Sequence, residues 1–198
     1  MTATPQARRA TYARTTRETD VSVELSLDGT GQADIQTGVG FLDHMLSALA
    51  KHARFDLRVR CTGDLDTGTH HTSEDVALGI GNALDRALGE RAGIRRFAHA
   101  YAPLDEALVR AVVDLSGRPY PMVQLDFRRE RIGTLACEDI VHVLQSLAIA
   151  ARMALHVDVI RADNDHHRAE AAFKACALAL RAAVARDGTD IPSTKGVL

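Results

Sequence analysis

Two stretches, "HHTSEDVALGIGNAL" at 70–84 and "HHRAEAAFKACALAL" at 166–180, each place adjacent histidines and then a glutamate at the head of an amphipathic segment. On a helix turning about 100° per residue, His70, Glu74 and His71 project at roughly 0°, 40° and 100°. The i, i+4 pair His70 and Glu74 can grip one ion, while His71 is turned toward another. His166, Glu170 and His167 repeat the pattern. Imidazole with carboxylate is a donor set for divalent transition metals, and with no thiolate in it a closed structural zinc site is disfavoured. A third histidine is also duplicated, since "DHMLSALAKHAR" at 43–54 matches "VHVLQSLAIAAR" at 141–152 and pairs His44 with His142. Six histidines and two glutamates suffice for three His and one Glu at each of two ions. His52, His99 and His156 fall outside the duplicated set.

The elements that must carry these residues are written twice as well, which is the first thing to settle in any fold reading. "FDLRVR" and "LHVDVI" follow the matched helices and alternate at the period of a strand. Upstream, "VSVELSL" and "QADIQT" flank "DGTG", and "ALVRAVVDL" and "YPMVQLDF" flank "SGRP"; both read as hairpins. Each half is then ββαβα, with one further strand expected near 11–17 and 96–102. "RRERIGT" at 128–134 reads as a polar connection. The expected fold is α+β, an internal duplication with two four-stranded sheets flanking a central helical layer. The repeated halves span about 10–92 and 93–187 of a single domain covering 1–198, followed by a tail, 188–198.

Composition narrows the function. Of 198 residues 46% are hydrophobic but only 4% aromatic, so the interior must be built from Ala, Leu and Val, which suits close-packed helices. A net charge of -2 supplies no basic field and argues against nucleic acid as the main partner. Three cysteines without CxxC spacing read as reduced thiols. The opening "MTATPQARRATYARTTRETD" has no signal-like apolar run, and no stretch approaches ~20 uninterrupted apolar residues. A cytoplasmic protein without membrane contact is expected. On the residues alone, a two-metal hydrolase of phosphorylated small molecules and a shell protein stapled by metal both stay open.

The ordered motifs "RTTRET", "TGVGFLDHML", "GDLDTGTHHTSEDVALGIGNAL", "GIRRF", "PLDEAL", "DLSGRPY", "DNDHHRAEAAFKA" and "PSTKGVL" run over nearly the whole chain. Together they resemble the imidazoleglycerol-phosphate dehydratase family of histidine biosynthesis. One departure is Thr69 in "TGTHH", where the family usually has an acidic residue; altered tuning of the adjacent histidine is expected rather than lost ligation.

The resemblance implies a manganese enzyme with two Mn2+ ions per active site, built from trimers into a 24-subunit shell, each site lined by more than one subunit. By position, one ion would take His44, His71, His166 and Glu170, and the other His70, Glu74, His142 and His167. Arg96, Arg118, Ser193, Thr194 and Lys195 match phosphate-binding positions, where guanidinium forks and an ammonium suit phosphate oxygens. Glu18, His44, His52, His70, Asp105, His166 and Lys174 would also face the substrate. Glu18 is the expected proton-transfer residue, beside the ligand carboxylates Glu74 and Glu170, with Asp105 or Glu106 a weaker alternative. The implied reaction turns imidazoleglycerol phosphate into imidazole-acetol phosphate. The proton removed is not next to a carbonyl, so the imidazole ring must act as the electron sink.

Overall fold

In the computed structural model residues 7–198 are described, which leaves the first six residues of the polar amino-terminal stretch outside. Alternating sequence makes the strands. In β2 (Thr19–Ser26) Val21, Val23 and Leu25 are buried while their neighbours face outward. It pairs antiparallel with β1 (Arg9–Thr15) and with β4 (Asp56–Gly63), and β4 pairs parallel with β3 (Ala33–Gln36). The sheet order is β1-β2-β4-β3. A second sheet repeats it as β5-β6-β10-β7, from β5 (Phe97–Leu104), β6 (Ala107–Asp114), β7 (Tyr120–Gln124) and β10 (Ala154–Arg161).

The α+β architecture and the fourth strand in each sheet agree with the sequence reading, but the pairing corrects it. "VSVELSL" and "QADIQT" do not form a hairpin with each other, because β4 lies between them; β10 likewise separates β6 from β7. Parallel neighbours need a crossover rather than a tight turn. That crossover is α1 (Gly40–Ala53) in the first sheet and α3 (Cys137–Ala150) in the second. The true hairpins are β1–β2 and β5–β6. The connection at 128–134 is also more structured than expected: β8 (Arg131–Ile132) and β9 (Leu135–Ala136) form a small antiparallel pair.

Four helices fill the space between the sheets. α2 (His70–Leu88) lies on the first sheet and α4 (Asp165–Ala183) on the second, while α1 packs against α4 and α3 against α2. The alanines set how closely the helices approach. Ala169, Ala171, Ala172, Ala175, Ala179 and Ala183 of α4 are all fully buried, so this helix is covered on most sides. At the α2–α3 crossing a Cβ on Gly81 would lie 2.6 Å from Ala150 Cβ and 2.6 Å from the Leu147 carbonyl oxygen.

The helix heads are held by different devices. Thr37 donates from its backbone N–H (3.0 Å) and hydroxyl (2.6 Å) to Asp43 in the first turn of α1. In α4 the Asn164 carboxamide oxygen accepts from the backbone N–H groups of His166 and His167. Buried Asp165 accepts from the backbone of Arg128 and Arg129 and pairs with buried Arg168 at 2.8 Å. The outer faces of the sheets differ in chemistry. Arg58, Arg60, Glu24 and Asp34 form a charged network on the first, whereas Phe97, Tyr101, Val112, Tyr120 and Met122 stand exposed on the second.

Gly81 should therefore resist enlargement. Gly81→Val is expected to destabilise the fold by more than the ~1–3 kcal/mol usual for overpacking, since backbone as well as side chain must yield. Gly40→Ala, with nothing within 4 Å of the added carbon, serves as the control with little change. Thermal unfolding of the two variants checks this; equal midpoints would show that the crossing adapts freely.

Candidate active site

The duplicated histidines and glutamates gather into two clusters of three. His44, His166 and Glu170 form one, from α1 and α4; His70, Glu74 and His142 form the other, from α2 and α3. In each cluster the candidate ligand atoms lie within 4.8 Å of one another. In the first, His44 Nε2 is 3.2 Å and His166 Nε2 3.4 Å from Glu170 Oε2. In the second, His142 Nε2 is 3.1 Å from Glu74 Oε1, and the His70 and His142 rings stack at 4.7 Å. Imidazole nitrogens with one carboxylate oxygen are the donor set of a divalent transition metal, so the residues fit two such ions.

The remaining two histidines of the sequence set, His71 and His167, join neither cluster. His71 turns Nδ1 to Asp64 at 3.0 Å, and its Nε2 stands 3.9 Å from Glu18. His167 turns Nδ1 to Glu106 at 2.7 Å, and its Nε2 stands 3.9 Å from Asp105. The pattern is the same in both halves: one carboxylate fixes Nδ1 and a second faces Nε2. Donating to Asp64 raises the His71 pKa above its ordinary value, and donating to Glu106 does the same for His167. Glu106 in turn is held down at about 2, by His167 first and by the Asn164 backbone N–H second.

Sequence reasoning missed the partners of the clustered histidines and glutamates. Asp139 of α3, almost fully buried, accepts from His70 Nδ1 at 2.9 Å and from the Thr69 hydroxyl at 2.5 Å. A carboxylate thus reaches His70 from across the helix pair, although position 69 itself carries a hydroxyl. At the other cluster the equivalent neighbour is Phe41, whose ring meets the His166 ring edge-on at 5.0 Å. Lys174 Nζ lies 2.7 Å from Glu170 Oε1. Burial pushes the Glu170 carboxyl up, but hydrogen bonds from Lys174 and His44 outweigh it and hold the group below its ordinary value. Burial, then the charge of nearby Lys174, lowers the His52 pKa below its ordinary value. No local sequence signal marks Asp139, whereas Asp64 sits inside the quoted "GDLDTG".

The anion-binding candidates also converge. Arg96, Arg118, Ser193, Thr194 and Lys195 line one groove of about 580 Å³. Arg96 is already engaged: Nε and Nη2 bind Asp114, Nη1 donates to the Pro192 carbonyl at 2.7 Å, and its guanidinium lies over Phe97. Arg96 therefore pins the tail to the sheet, while Arg118 and Lys195 have no acidic partner among the described residues. This groove is at the carboxyl end of α4, where the Arg96 N–H binds the Ala183 carbonyl. The His166 cluster is at its amino end, roughly 25 Å away along the helix at 1.5 Å per residue.

A family model described as imidazoleglycerol-phosphate dehydratase matches residues 37–180. The imidazoleglycerol-phosphate dehydratase of Salinibacter ruber is 57% identical over 193 residues, covering 96% of each protein. The protein of that name from Phytophthora nicotianae is also 57% identical, over 192 residues, but the match spans 96% of this chain and 42% of that longer one. The crystal structure of IGPD from Pyrococcus furiosus in complex with (S)-C348 superposes with a TM-score of 0.82 at 37% identity, covering 94% of this chain and 100% of that one.

Metal-free protein should show His71 and His167 titrating above about 6.5, the ordinary histidine value. Because folding raises both pKa values, the stability these pairs contribute is fully present below that pH and fades as pH rises through the folded values. NMR titration of the ring protons checks this: Glu106→Gln is expected to return His167 toward the ordinary value and leave His71 unmoved, and an unshifted His167 in the wild type would contradict it.

Proposed function

The chain belongs to the imidazoleglycerol-phosphate dehydratase family and is at that level a dehydratase of histidine biosynthesis, and we propose that it converts imidazoleglycerol phosphate to imidazole-acetol phosphate at a site holding two Mn2+ ions and completed by a neighbouring subunit. One observation carries this reading. Each cluster of three presents a partial ligand set, while the two leftover histidines belong to neither, and the anion groove is about 25 Å from the cluster on the same helix. A small phosphorylated substrate cannot span that distance. A second copy that brings its own His71 or His167 to a cluster, and a copy that brings its groove alongside, complete the site without new residues.

Under this reading one ion is held by His44, His166 and Glu170 with His71 of a neighbour, and the other by His70, Glu74 and His142 with a neighbour's His167. The ions, when bound, supply Lewis acidity to the substrate's ring nitrogens and a template for its orientation. The chain's own groups do the rest. Arg118, Ser193, Thr194 and Lys195 bind the phosphate through charged and hydroxyl donors, with Arg96 holding their loop in place. Glu18 travels with His71, 3.9 Å from its Nε2, and so arrives at the site with that ligand. We assign it the transfer of the carbon-bound proton as the adjacent hydroxyl leaves; the resulting enol then relaxes to the ketone. Glu74 and Glu170 serve the reaction as ligands whose negative charge offsets that of the ions. Lys174 and His52 lie where they would line the substrate's path beside Glu170.

The exposed aromatic residues on the outer face of the second sheet, Phe97, Tyr101 and Tyr120, suit burial against further copies in a trimer or a 24-subunit shell. No described helix is long and apolar enough to cross a membrane, and a cytoplasmic location accompanies the biosynthetic role.

Chelated protein is expected to lose dehydration of imidazoleglycerol phosphate and to regain it on adding manganese. Glu18→Gln should keep its metal while turnover falls by at least the ~10²-fold typical of removing a proton-transfer group. Release of free phosphate instead of an enolisable ketone would mark a hydrolase and overturn the proposal. Light scattering should show smaller assemblies after chelation, since ligands shared between subunits couple metal binding to association; an unchanged mass would remove that coupling.

A further inference from the structure

The duplication makes the two ligand clusters look equivalent, yet the side chains around them are not. Resting on the two-ion reading above, we propose that the sites differ in affinity: the His70, Glu74 and His142 site is the tight one, the His44, His166 and Glu170 site is the loose, exchangeable one, and Asp139 and Lys174 make the difference.

Asp139 and Phe41 occupy the same place, each three residues before the ligand histidine of its helix. Asp139 binds His70 Nδ1 at 2.9 Å, and its second oxygen is fixed by the Thr69 hydroxyl. A carboxylate on Nδ1 leaves Nε2 free to ligate, selects that tautomer, locks the ring and makes it a stronger donor. It is also almost fully buried, so its charge is poorly screened. Phe41 offers His166 only a ring edge, with no proton acceptor for Nδ1.

The glutamates differ in the opposite sense. Lys174, one turn beyond Glu170, binds Oε1 at 2.7 Å; only 15% of the Glu170 side chain and 19% of the Lys174 side chain are exposed, which leaves Oε2 as the oxygen near both histidines. The ammonium draws charge from the carboxylate that an ion would use and stands as a like charge beside that ion. One turn beyond Glu74 the residue is Leu78, and among the described residues no lysine or arginine pairs with Glu74. One cluster therefore combines two carboxylates, and the other a carboxylate with an ammonium. The histidines assigned as fourth ligands do not restore the balance, because both carry a carboxylate on Nδ1, Asp64 on His71 and Glu106 on His167.

The difference suits the chemistry proposed. A firmly held ion would suit anchoring of the assembly, and Lys174 beside Glu170 would weaken that carboxylate's hold on the second ion.

The test is manganese binding by the metal-free protein. Titration followed by the paramagnetic resonance of free Mn2+ should resolve two steps separated by at least about tenfold, the lower end of what loss of such a histidine partner costs. In crystals of the metal-free protein soaked with limiting manganese, the anomalous signal should appear first at His70, Glu74 and His142. Asp139→Asn should weaken the tighter step by roughly 10- to 100-fold and leave the looser one unchanged. Lys174→Met, which does not depend on the folding of the Asp139 variant, should tighten the looser step several-fold. Two ions bound with one affinity, or manganese appearing first beside Glu170, would overturn the inequality while leaving the two-ion reading intact; a protein that binds fewer than two ions per chain would overturn both.

Discussion

Adjacent residues on a helix cannot serve one ion. His70 and His71 leave the axis about 100° apart, as do His166 and His167, and the rest of the site follows from that divergence. The histidine in register with the glutamate one turn on joins its own chain's cluster. The other is held outside it by a carboxylate on Nδ1. Under the reading proposed above, such a chain carries two partial sites and two spare histidines, which neighbouring chains would complete.

The fold maintains this divergence by rigid means. The helices that carry the ligands are buried against sheets and against one another, with alanines and Gly81 setting the separation at the crossings. His71 and His167 therefore cannot swing cheaply toward the clusters, since each is tied to a carboxylate from the β4–α2 loop or the β5–β6 turn. The two sheets have the same strand order but different outer faces, one charged and one aromatic. Pseudo-symmetry inside the chain thus coexists with asymmetry outside it, and the same divergence appears around the ligands, where Asp139 faces His70 and Phe41 faces His166.

Much of this was legible in the sequence. The repeated His-His-x-x-Glu, the duplicated His44 and His142 and the apolar stripes gave the helices and the six residues that now form two clusters. Strand existence was legible because alternation is a local property. Strand partnership was not: β2 and β3 are joined by a turn-rich stretch, but the partner of each is β4, delivered from beyond α1. The orienting carboxylates were hidden for a related reason. Asp139 lies 69 residues from His70 and belongs to the other half of the duplication, so nothing near the histidine pair announces it. Arg96 was legible as a cation in the anion groove, but not as the residue whose fork is engaged by Asp114 and Pro192.

The central claim is that ligands for one ion come from different chains, and subunit complementation tests it most directly. His71→Ala and His44→Ala variants, each inactive alone, would be dissociated by chelation, mixed and reassembled with manganese. If the ligands are shared between chains, the mixture contains sites that draw an intact His44 cluster from one variant and an intact His71 from the other, and a fraction of wild-type dehydration returns. If every ligand for an ion came from a single chain, each chain in the mixture would remain defective, and no activity would return at any mixing ratio.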